Sequence, residues 1–196
     1  MRCRLLVLLL ITCHASLADT PAVPTPRITV SASARYFFSM LPAHWNHKGE
    51  VTRQPSGTAY HLQDNGSFRT LWRVKGWFAF QCFLADDGRY LVRMGDWAMG
   101  DEPSKKDLAV AFYDRDKLLN QFSTADLVKD KTKVLASVSH YFWLACDTAR
   151  YDPDHDLKRA EPPPALDYEK FHLKTCDGIE YIFDITTGKI EETKGG

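Results

Sequence analysis

Residues 86–97, "DDGRYLVRMGDW", decide the fold because they join a turn signal directly to a strand signal. Asp87-Gly88 is a typical hairpin turn, and the run that opens on Arg89-Tyr90 has the short, β-branched and aromatic composition of a strand. The same Arg-Tyr phrase opens the run "RYFFSML" at Arg35, which lies 54 residues upstream of Arg89. This spacing indicates that one strand recurs in successive units of a repeat.

The rest of the chain can be set in register with these two runs. Residues 27–40, 57–62 and 67–74 contain four strand-like runs, and residues 77–94, 107–114 and 117–123 contain four more in the same order. A third set lies in residues 137–145, 170–184 and 189–192, with an insertion near 147–169. The sequence therefore predicts an all-β fold of three four-stranded antiparallel sheets, with one short helix after Ser123.

Two phrases in these units carry a resemblance to known proteins. "DDGRYLVRM" and "YIFDITTGKI" resemble strands of the blades in the β-propeller repeat families, and the layout of the whole mature chain resembles a group of uncharacterised exported bacterial proteins. The resemblance implies blade-like sheets and brings no activity with it. Three units are fewer than the four to eight that close a propeller, so we favour an open arrangement, the alternative being a ring completed by more than one chain.

The N-terminus has the order of a secretory signal peptide. Two arginines precede an apolar stretch and the small-residue site Ser16-Leu17-Ala18, so residues 1–18 are predicted to be removed. The predicted organisation is then a Pro-rich disordered leader at 19–26 and a single β domain at 27–196, with repeats at about 27–74, 77–123 and 137–191. We expect a periplasmic or secreted protein; acylation at Cys13 is the alternative.

Composition limits the kinds of partner. Without the signal peptide the chain has 23 basic and 25 acidic side chains, because Arg2 and Arg4 are lost. A net charge near −2 offers no long-range attraction to nucleic acid. Beyond the signal peptide, no apolar run is long enough for a membrane span. We expect a monomer or a small homo-oligomer.

The loops between the second and third strands of the first two units hold the candidate binding residues. Strand order predicts that both loops leave from the same edge, which defines a binding rim of His44, Trp45, His47, Asp96, Trp97 and Met99. The two tryptophans could stack on a sugar ring or on a side chain of a partner, or each could cap the end of its own sheet.

Metal and catalytic signals are weak. His44 and His47 lack a third ligand nearby, and residues 152–156, "DPDHD", have Leu157 where a calcium loop has glycine. No hydrolase or phosphate-binding motif is present in the sequence. Asp96 with Asp101 or Glu102 forms a carboxylate pair on one loop, as glycoside hydrolysis would require. Strand alternation places His140 on the same face as Val138 and Phe142, where we expect a hydrogen-bonded, partly buried histidine. No cofactor, metal ligand or catalytic residue is predicted.

Two functions follow from these observations. The first is an exported, non-catalytic interaction module that binds a protein or a glycan of the cell envelope through the rim. The second is a hydrolase of a cell-envelope polymer that uses the loop carboxylates. We favour the first.

The mature chain keeps three cysteines, Cys82, Cys146 and Cys176. The predicted register places Cys146 opposite Lys170, about 20 Å along the strand from Cys176, whereas a disulfide needs Cα atoms within ~7 Å. The sequence therefore predicts three thiols and a buried Cys82.

Overall fold

The structure, a computed structural model, describes residues 22–147 and 161–195. The predicted signal peptide, part of the predicted leader and the "DPDHD" stretch lie outside these residues. The strands are β1 (Arg27–Val30), β2 (Tyr36–Leu41), β3 (His44–Trp45), β4 (Val51–Arg53), β5 (Ser56–Leu62), β6 (Phe68–Lys75), β7 (Cys82–Leu84), β8 (Tyr90–Met94), β9 (Leu108–Asp114), β10 (Lys117–Ser123), β11 (Leu135–Ala136), β12 (Tyr141–Phe142), β13 (Ala165–Asp167), β14 (Lys170–Lys174), β15 (Glu180–Asp184) and β16 (Lys189–Lys194).

Twelve of these strands form three antiparallel sheets of four strands each. The first sheet has the order β1-β2-β5-β6, the second β7-β8-β9-β10 and the third β13-β14-β15-β16, and none of the three is closed on itself. Two small sheets, β3-β4 and β11-β12, have two strands each. The predicted all-β, antiparallel architecture is confirmed, and each large sheet is built from one continuous part of the chain.

The third sheet differs from the prediction at its first strand. Residues 137–145 were expected to supply that strand, but Ala165–Asp167 pairs with β14 instead. Tyr141–Phe142 pairs with Leu135–Ala136, and beyond it Leu144 forms one isolated bridge with Thr175. The predicted strand is therefore wrong, and so is the register that placed Cys146 opposite Lys170. The sequence pattern of residues 137–145 is apolar enough for a strand but does not show which partner it pairs with.

The second sheet lies between the other two. Leu91, Ala111 and Tyr113 on one face pack with Phe38 and its neighbours in the first sheet. The next residues along the same strands face the other way and pack with the third sheet; they include Val92, Val110 and Phe112, all fully buried. Strand alternation thus lets one sheet supply two cores.

The Asp-Gly turn of the opening stretch joins the first two sheets. Gly88 has a φ of 67°, and a Cβ added there would lie 2.3 Å from the ring of Tyr36, so glycine is required both by conformation and by space. The indole N–H of the buried Trp72 donates to the Gly88 carbonyl at 2.7 Å. The turn is therefore held against the first sheet.

The repeated arginine makes the same contact in the first two sheets. Arg35 pairs with Asp64 at 2.8 Å, just beyond the third strand of the first sheet. Arg89 pairs with Asp114, the last residue of the third strand of the second sheet, through two hydrogen bonds of 2.7 and 2.5 Å. Each arginine ties the start of its strand to the end of the next strand, although solvent weakens such exposed pairs.

The predicted helix is present as a single turn, α1 (Thr124–Leu127). Ser123 is its N-cap and forms a capping box with Asp126, which satisfies backbone N–H groups that a helix start leaves without a partner. A 3-10 turn follows at Lys131–Lys133. Among the described residues, no helix has the length and apolar character needed to cross a membrane.

Candidate functional site

A cleft of about 400 Å³ opens where the second sheet meets the segment that contains β12. We call it the Asp96 cleft. Six of the residues that line it are aromatic and three are charged; the residues that give it chemical character are Arg27, Phe80, Asp96, Trp97, His140, Trp143 and Asp147. Apolar walls with a small number of polar groups are typical of a site for a small ligand.

Gly95 turns the chain out of the sheet and into this cleft. Strand β8 ends at Met94, and the Gly95 N–H donates to the carbonyl of Ala109 at 2.8 Å. A Cβ added at Gly95 would lie 1.6 Å from the carbonyl oxygen of Leu108, so no other residue fits at this point without moving the backbone. The glycine at position 95 therefore fixes the point at which the loop leaves β8.

Asp96 supplies a carboxylate at the edge of the cleft. Its side chain is about half exposed, at 49%, and its Oδ2 lies 3.9 Å from Nη2 of Arg93. Partial burial raises the pKa of Asp96, and the opposing attraction of Arg93 is the smaller effect. The carboxyl group is thus less acidic than an ordinary aspartate and is available to a ligand.

Trp97 and His140 form the centre of the aromatic wall. Their ring centroids are 3.8 Å apart, and Phe142 packs edge-on against His140 with centroids at 4.5 Å. The loop is fixed to this wall by the backbone, since Tyr141 N–H donates to the Ala98 carbonyl at 3.1 Å. Within the described residues, the buried indole N–H of Trp97 has no hydrogen-bond acceptor. The cleft wall therefore contains a donor that lacks a partner, and because its nitrogen is fully buried, a ligand reaches it only when the Trp97 side chain moves.

The structure brings together only part of the predicted rim. Asp96 and Trp97 line the cleft; Met99 is next to it but 58% exposed and not part of its lining. His44, Trp45 and His47 belong to a separate hairpin made by β3 and β4, and none of the three lines the cleft. The predicted long loop between β2 and β5 is thus partly a hairpin, which carries these residues elsewhere.

Several cleft residues were not predicted as site residues. Phe80 and Trp143 lie in runs that the sequence assigns to strands, and Arg27 is the first residue of β1, so no loop signal marked them. His140 was expected to be partly buried and is more deeply buried than that, with 4% of its surface exposed, but Val138, expected on the same face, is 81% exposed.

The predicted carboxylate pair is not assembled in the cleft. Glu102 pairs with Lys131 at 3.1 Å, and neither Glu102 nor Asp101 is part of the cleft lining. The second carboxylate that does line the cleft is Asp147. In the part of the chain that the structure describes, no group of three or more His, Cys, Asp or Glu side chains is placed to hold a metal ion.

Comparisons with known proteins add little. No protein-family model matches the sequence, and no curated protein matches it. Among solved structures, the crystal structure of Sqt1 from Saccharomyces cerevisiae aligns at 14% identity with a TM-score of 0.26, covering 86% of this chain and 60% of that chain. The chain thus spans less than two thirds of that neighbour, and a TM-score this low carries no argument about fold or function.

Proposed function

We propose that the protein is an exported, non-catalytic interaction module that binds a glycan of the cell envelope in the Asp96 cleft. One observation carries the proposal. The cleft has aromatic walls, a carboxylate acceptor at Asp96 and a buried N–H donor at Trp97 that has no acceptor among the described residues. Export to the periplasm or the medium is part of the proposal and rests on the N-terminal sequence.

A sugar ring matches this combination of groups. Its C–H faces pack on aromatic rings, while its hydroxyl groups both donate and accept hydrogen bonds, as Asp96 and the Trp97 N–H require. The cleft volume of about 400 Å³ is at the lower end of the range for small-molecule sites, which is enough for one or two sugar units. A protein ligand, the other option considered from sequence, would need a larger flat surface than this cleft offers.

The alternative function is hydrolysis of an envelope polymer with Asp96 as the general acid. The observation that favours it is the raised pKa of Asp96 in a cleft that also contains Asp147. A glycosidase acid needs such a shift so that it is protonated near its working pH. We rank it second because Asp96 is half exposed, and contact with solvent limits how far burial raises its pKa.

The first test is binding of the mature protein to β-1,4-linked N-acetylglucosamine oligomers, as a defined envelope-type glycan, measured by calorimetry. Trp97→Phe keeps the aromatic ring and removes the donor, and we expect a loss of affinity of about fivefold, since one hydrogen bond contributes about 1 kcal/mol. Asp96→Asn should weaken binding, and the affinity of this variant should no longer fall at low pH. In the wild type that loss begins at a higher pH than an ordinary aspartate would give, because the pKa of Asp96 is raised.

Trp45→Ala is the matched control, because Trp45 is a predicted rim tryptophan that does not line the cleft. It should leave affinity unchanged. Equal losses in the Trp45 and Trp97 variants, or no binding to any envelope glycan, would refute the cleft as the site. Release of reducing ends by the wild type, lost in Asp96→Asn with binding retained, would support the hydrolase instead.

A further inference from the structure

The hairpin made by β3 and β4 extends from one end of the first sheet. Strand β2 ends at Leu41 and β5 begins at Ser56, and these two residues are paired, so residues 42–55 leave the sheet and return to it at one point. The hairpin has its own strand pairing, and the Gly49 N–H donates to the Asn46 carbonyl at 3.0 Å to close its turn. The hairpin is therefore an ordered element that holds its side chains in defined positions.

Trp45 and Val51 form an exposed apolar pair on this hairpin. They are directly opposite each other in the register, so their side chains lie on the same face. Trp45 is 59% exposed and Val51 is 39% exposed, and neither belongs to the two hydrophobic cores. The indole is therefore held in solvent, where it is available to a partner.

The same end of the first sheet is basic. Lys48 and Arg53 lie on the hairpin, and Arg73 and Lys75 lie at the end of β6 beside it, since Lys75 pairs with Ser56. All four cations are exposed. None of them has a carboxylate partner among the described residues. Their charge is therefore available to an anionic partner.

Few acidic groups offset these cations. The four strands of the first sheet contain no Asp or Glu. Glu50 is the one acidic residue of the hairpin, and it accepts a hydrogen bond from the Asn46 side chain at 2.7 Å. Asp64 lies at the opposite end of the sheet, where it pairs with Arg35 at 2.8 Å. The hairpin and the end of β6 beside it thus carry a net charge of +3.

Charge is separated along the whole chain. Residues 27–75 contain seven Lys or Arg and two Asp or Glu, a net charge of +5, whereas residues 76–196 contain 16 Lys or Arg and 22 Asp or Glu, a net charge of −6. The near-neutral total therefore conceals a basic part and an acidic part. A negatively charged surface would orient such a molecule with its first sheet toward that surface.

We propose that the hairpin of β3 and β4 attaches the protein to an anionic phospholipid surface. The four cations contact the lipid phosphates, and the Trp45–Val51 pair enters the headgroup layer. Tryptophan suits this depth because its indole has an apolar body and one polar N–H. The attachment surface is separate from the Asp96 cleft, which Trp45 does not line, and it does not depend on the glycan proposal.

The shape of the hairpin favours lipid over other anionic partners. A stable protein interface buries about 800 Å² on each partner, which two apolar side chains on a narrow hairpin do not supply. Single-stranded nucleic acid stacks successive bases on several aromatic side chains, whereas the hairpin exposes a single tryptophan. A headgroup layer is fluid and needs no matching shape, so a small apolar tip beside several cations is enough for reversible attachment.

The test is co-sedimentation of the mature protein with vesicles at low ionic strength. Phosphatidylcholine vesicles that contain about 30% phosphatidylglycerol supply a negative surface, and pure phosphatidylcholine vesicles supply a neutral one. We expect binding to the anionic vesicles only, with release at about 0.5 M salt, which screens exposed charges. Tryptophan emission should shift to shorter wavelength on binding, and Trp45→Ala should not show this shift.

Two variants separate the apolar and the electrostatic contributions. Trp45→Ala should lower the affinity for anionic vesicles at least about tenfold, because the indole no longer leaves water. Lys48→Glu/Arg53→Glu should lower it at least about twentyfold, since each cation near such a surface contributes about fivefold.

Matched controls make the same kinds of change away from the hairpin. Lys106→Glu/Lys117→Glu reverses two exposed lysines of the second sheet and its loop, and Tyr168→Ala removes an aromatic side chain that is 84% exposed beside the third sheet. Both controls should bind the vesicles like the wild type. Circular dichroism checks that every variant is folded.

Several results would overturn the proposal. Absence of binding to the anionic vesicles at low ionic strength would do so, and so would equal binding to anionic and neutral vesicles. Equal losses in the hairpin variants and the controls would show that total charge, rather than the hairpin, governs binding. Binding of single-stranded DNA or inorganic phosphate by a protein that leaves the vesicles unbound would assign the basic end to a soluble anion instead.

Discussion

Cys82 lies on β7 with 7% of its surface exposed, facing the core between the first and second sheets. Burial raises the pKa of Cys82 to about 12, and it raises the pKa of Cys176 to about 12 with a smaller contribution from Asp177. Because the thiolate is the reactive form, neither thiol should react with a thiol reagent at pH 8 in the folded protein. Titration of the denatured, unreduced mature chain should count three thiols.

The structure changes the reason for that expectation. Cys176 N–H donates to the Trp143 carbonyl at 2.9 Å, so Cys176 lies beside the segment that contains Cys146 rather than far from it. No disulfide joins the two cysteines in the structure. A count of one thiol after denaturation would mean that Cys146 and Cys176 form a disulfide in the purified protein. Rapid labelling of Cys82 in the folded state would contradict its burial.

At the scale of single elements, α1 is the clearest case of a structure that depends on one cap. It has only four residues, too few for a stable isolated helix, and the capping box of Ser123 and Asp126 supplies hydrogen bonds at its start. Ser123→Ala should lower the free energy of unfolding by about 1 kcal/mol. Urea denaturation measures this, and Thr132→Ala, a substitution in the 3-10 turn that follows, should cost less.

Protonation of Asp126 gives a second readout of the same cap. Hydrogen bonds from Lys105 and Ser123 lower the pKa of Asp126 to about 2. A lowered pKa in the folded state means that the stabilisation is complete above the ordinary pKa near 4 and is lost as the pH falls toward 2. In Ser123→Ala this acid-dependent loss should shrink. An unchanged stability in Ser123→Ala would show that α1 is held by packing alone.

Much of the element order could be predicted from sequence because hairpin turns and strand runs are local signals. The Asp-Gly turn at Gly88 and the repeated Arg-Tyr were sufficient to place the four strands of both the first and the second sheet. The first strand of the third sheet was missed, because Ala165–Asp167 is short and weakly apolar, whereas residues 137–145 have a stronger strand pattern. The choice between them is made by tertiary pairing.

Only the part of the candidate site that lies on a single loop could be predicted from the sequence. Asp96 and Trp97 follow β8 directly, and Gly95 fixes their exit from the sheet. His44 and Trp45 were assigned to the same rim because the hairpin of β3 and β4 has no strong turn signal and was treated as loop. Trp143 and Phe80 reach the cleft through packing between segments distant in sequence, which no local pattern contains.

At the scale of the whole molecule, the second sheet should be its most stable part. Strands β8 and β9 are paired on both edges and covered on both faces, with Val92, Val110 and Phe112 fully buried. Strand β5 is paired on both edges as well, but one face of its sheet is open. We expect backbone amides of β8 and β9 to exchange with deuterium at least tenfold more slowly than those of β5.

The measurement is hydrogen exchange of the wild-type protein followed by mass spectrometry. Because β5 has the same pattern of strand pairing, it controls for hydrogen bonding and isolates the effect of coverage. Equal protection of β5 and β9 would show that the sheets unfold only as one unit.

Each large sheet is made from consecutive residues, and this has a consequence for how the chain acquires its structure. Residues 27–75 contain every strand of the first sheet, residues 82–123 every strand of the second, and residues 165–194 every strand of the third. On the proposed export route the chain crosses the membrane N-terminus first, so the first sheet can pair its strands before the third has emerged. The second sheet then forms on an existing template, and only the segment around β12 must wait for β14 and β15. Folding that proceeds from the N-terminus limits the time for which unpaired strand edges of the early sheets are open to aggregation.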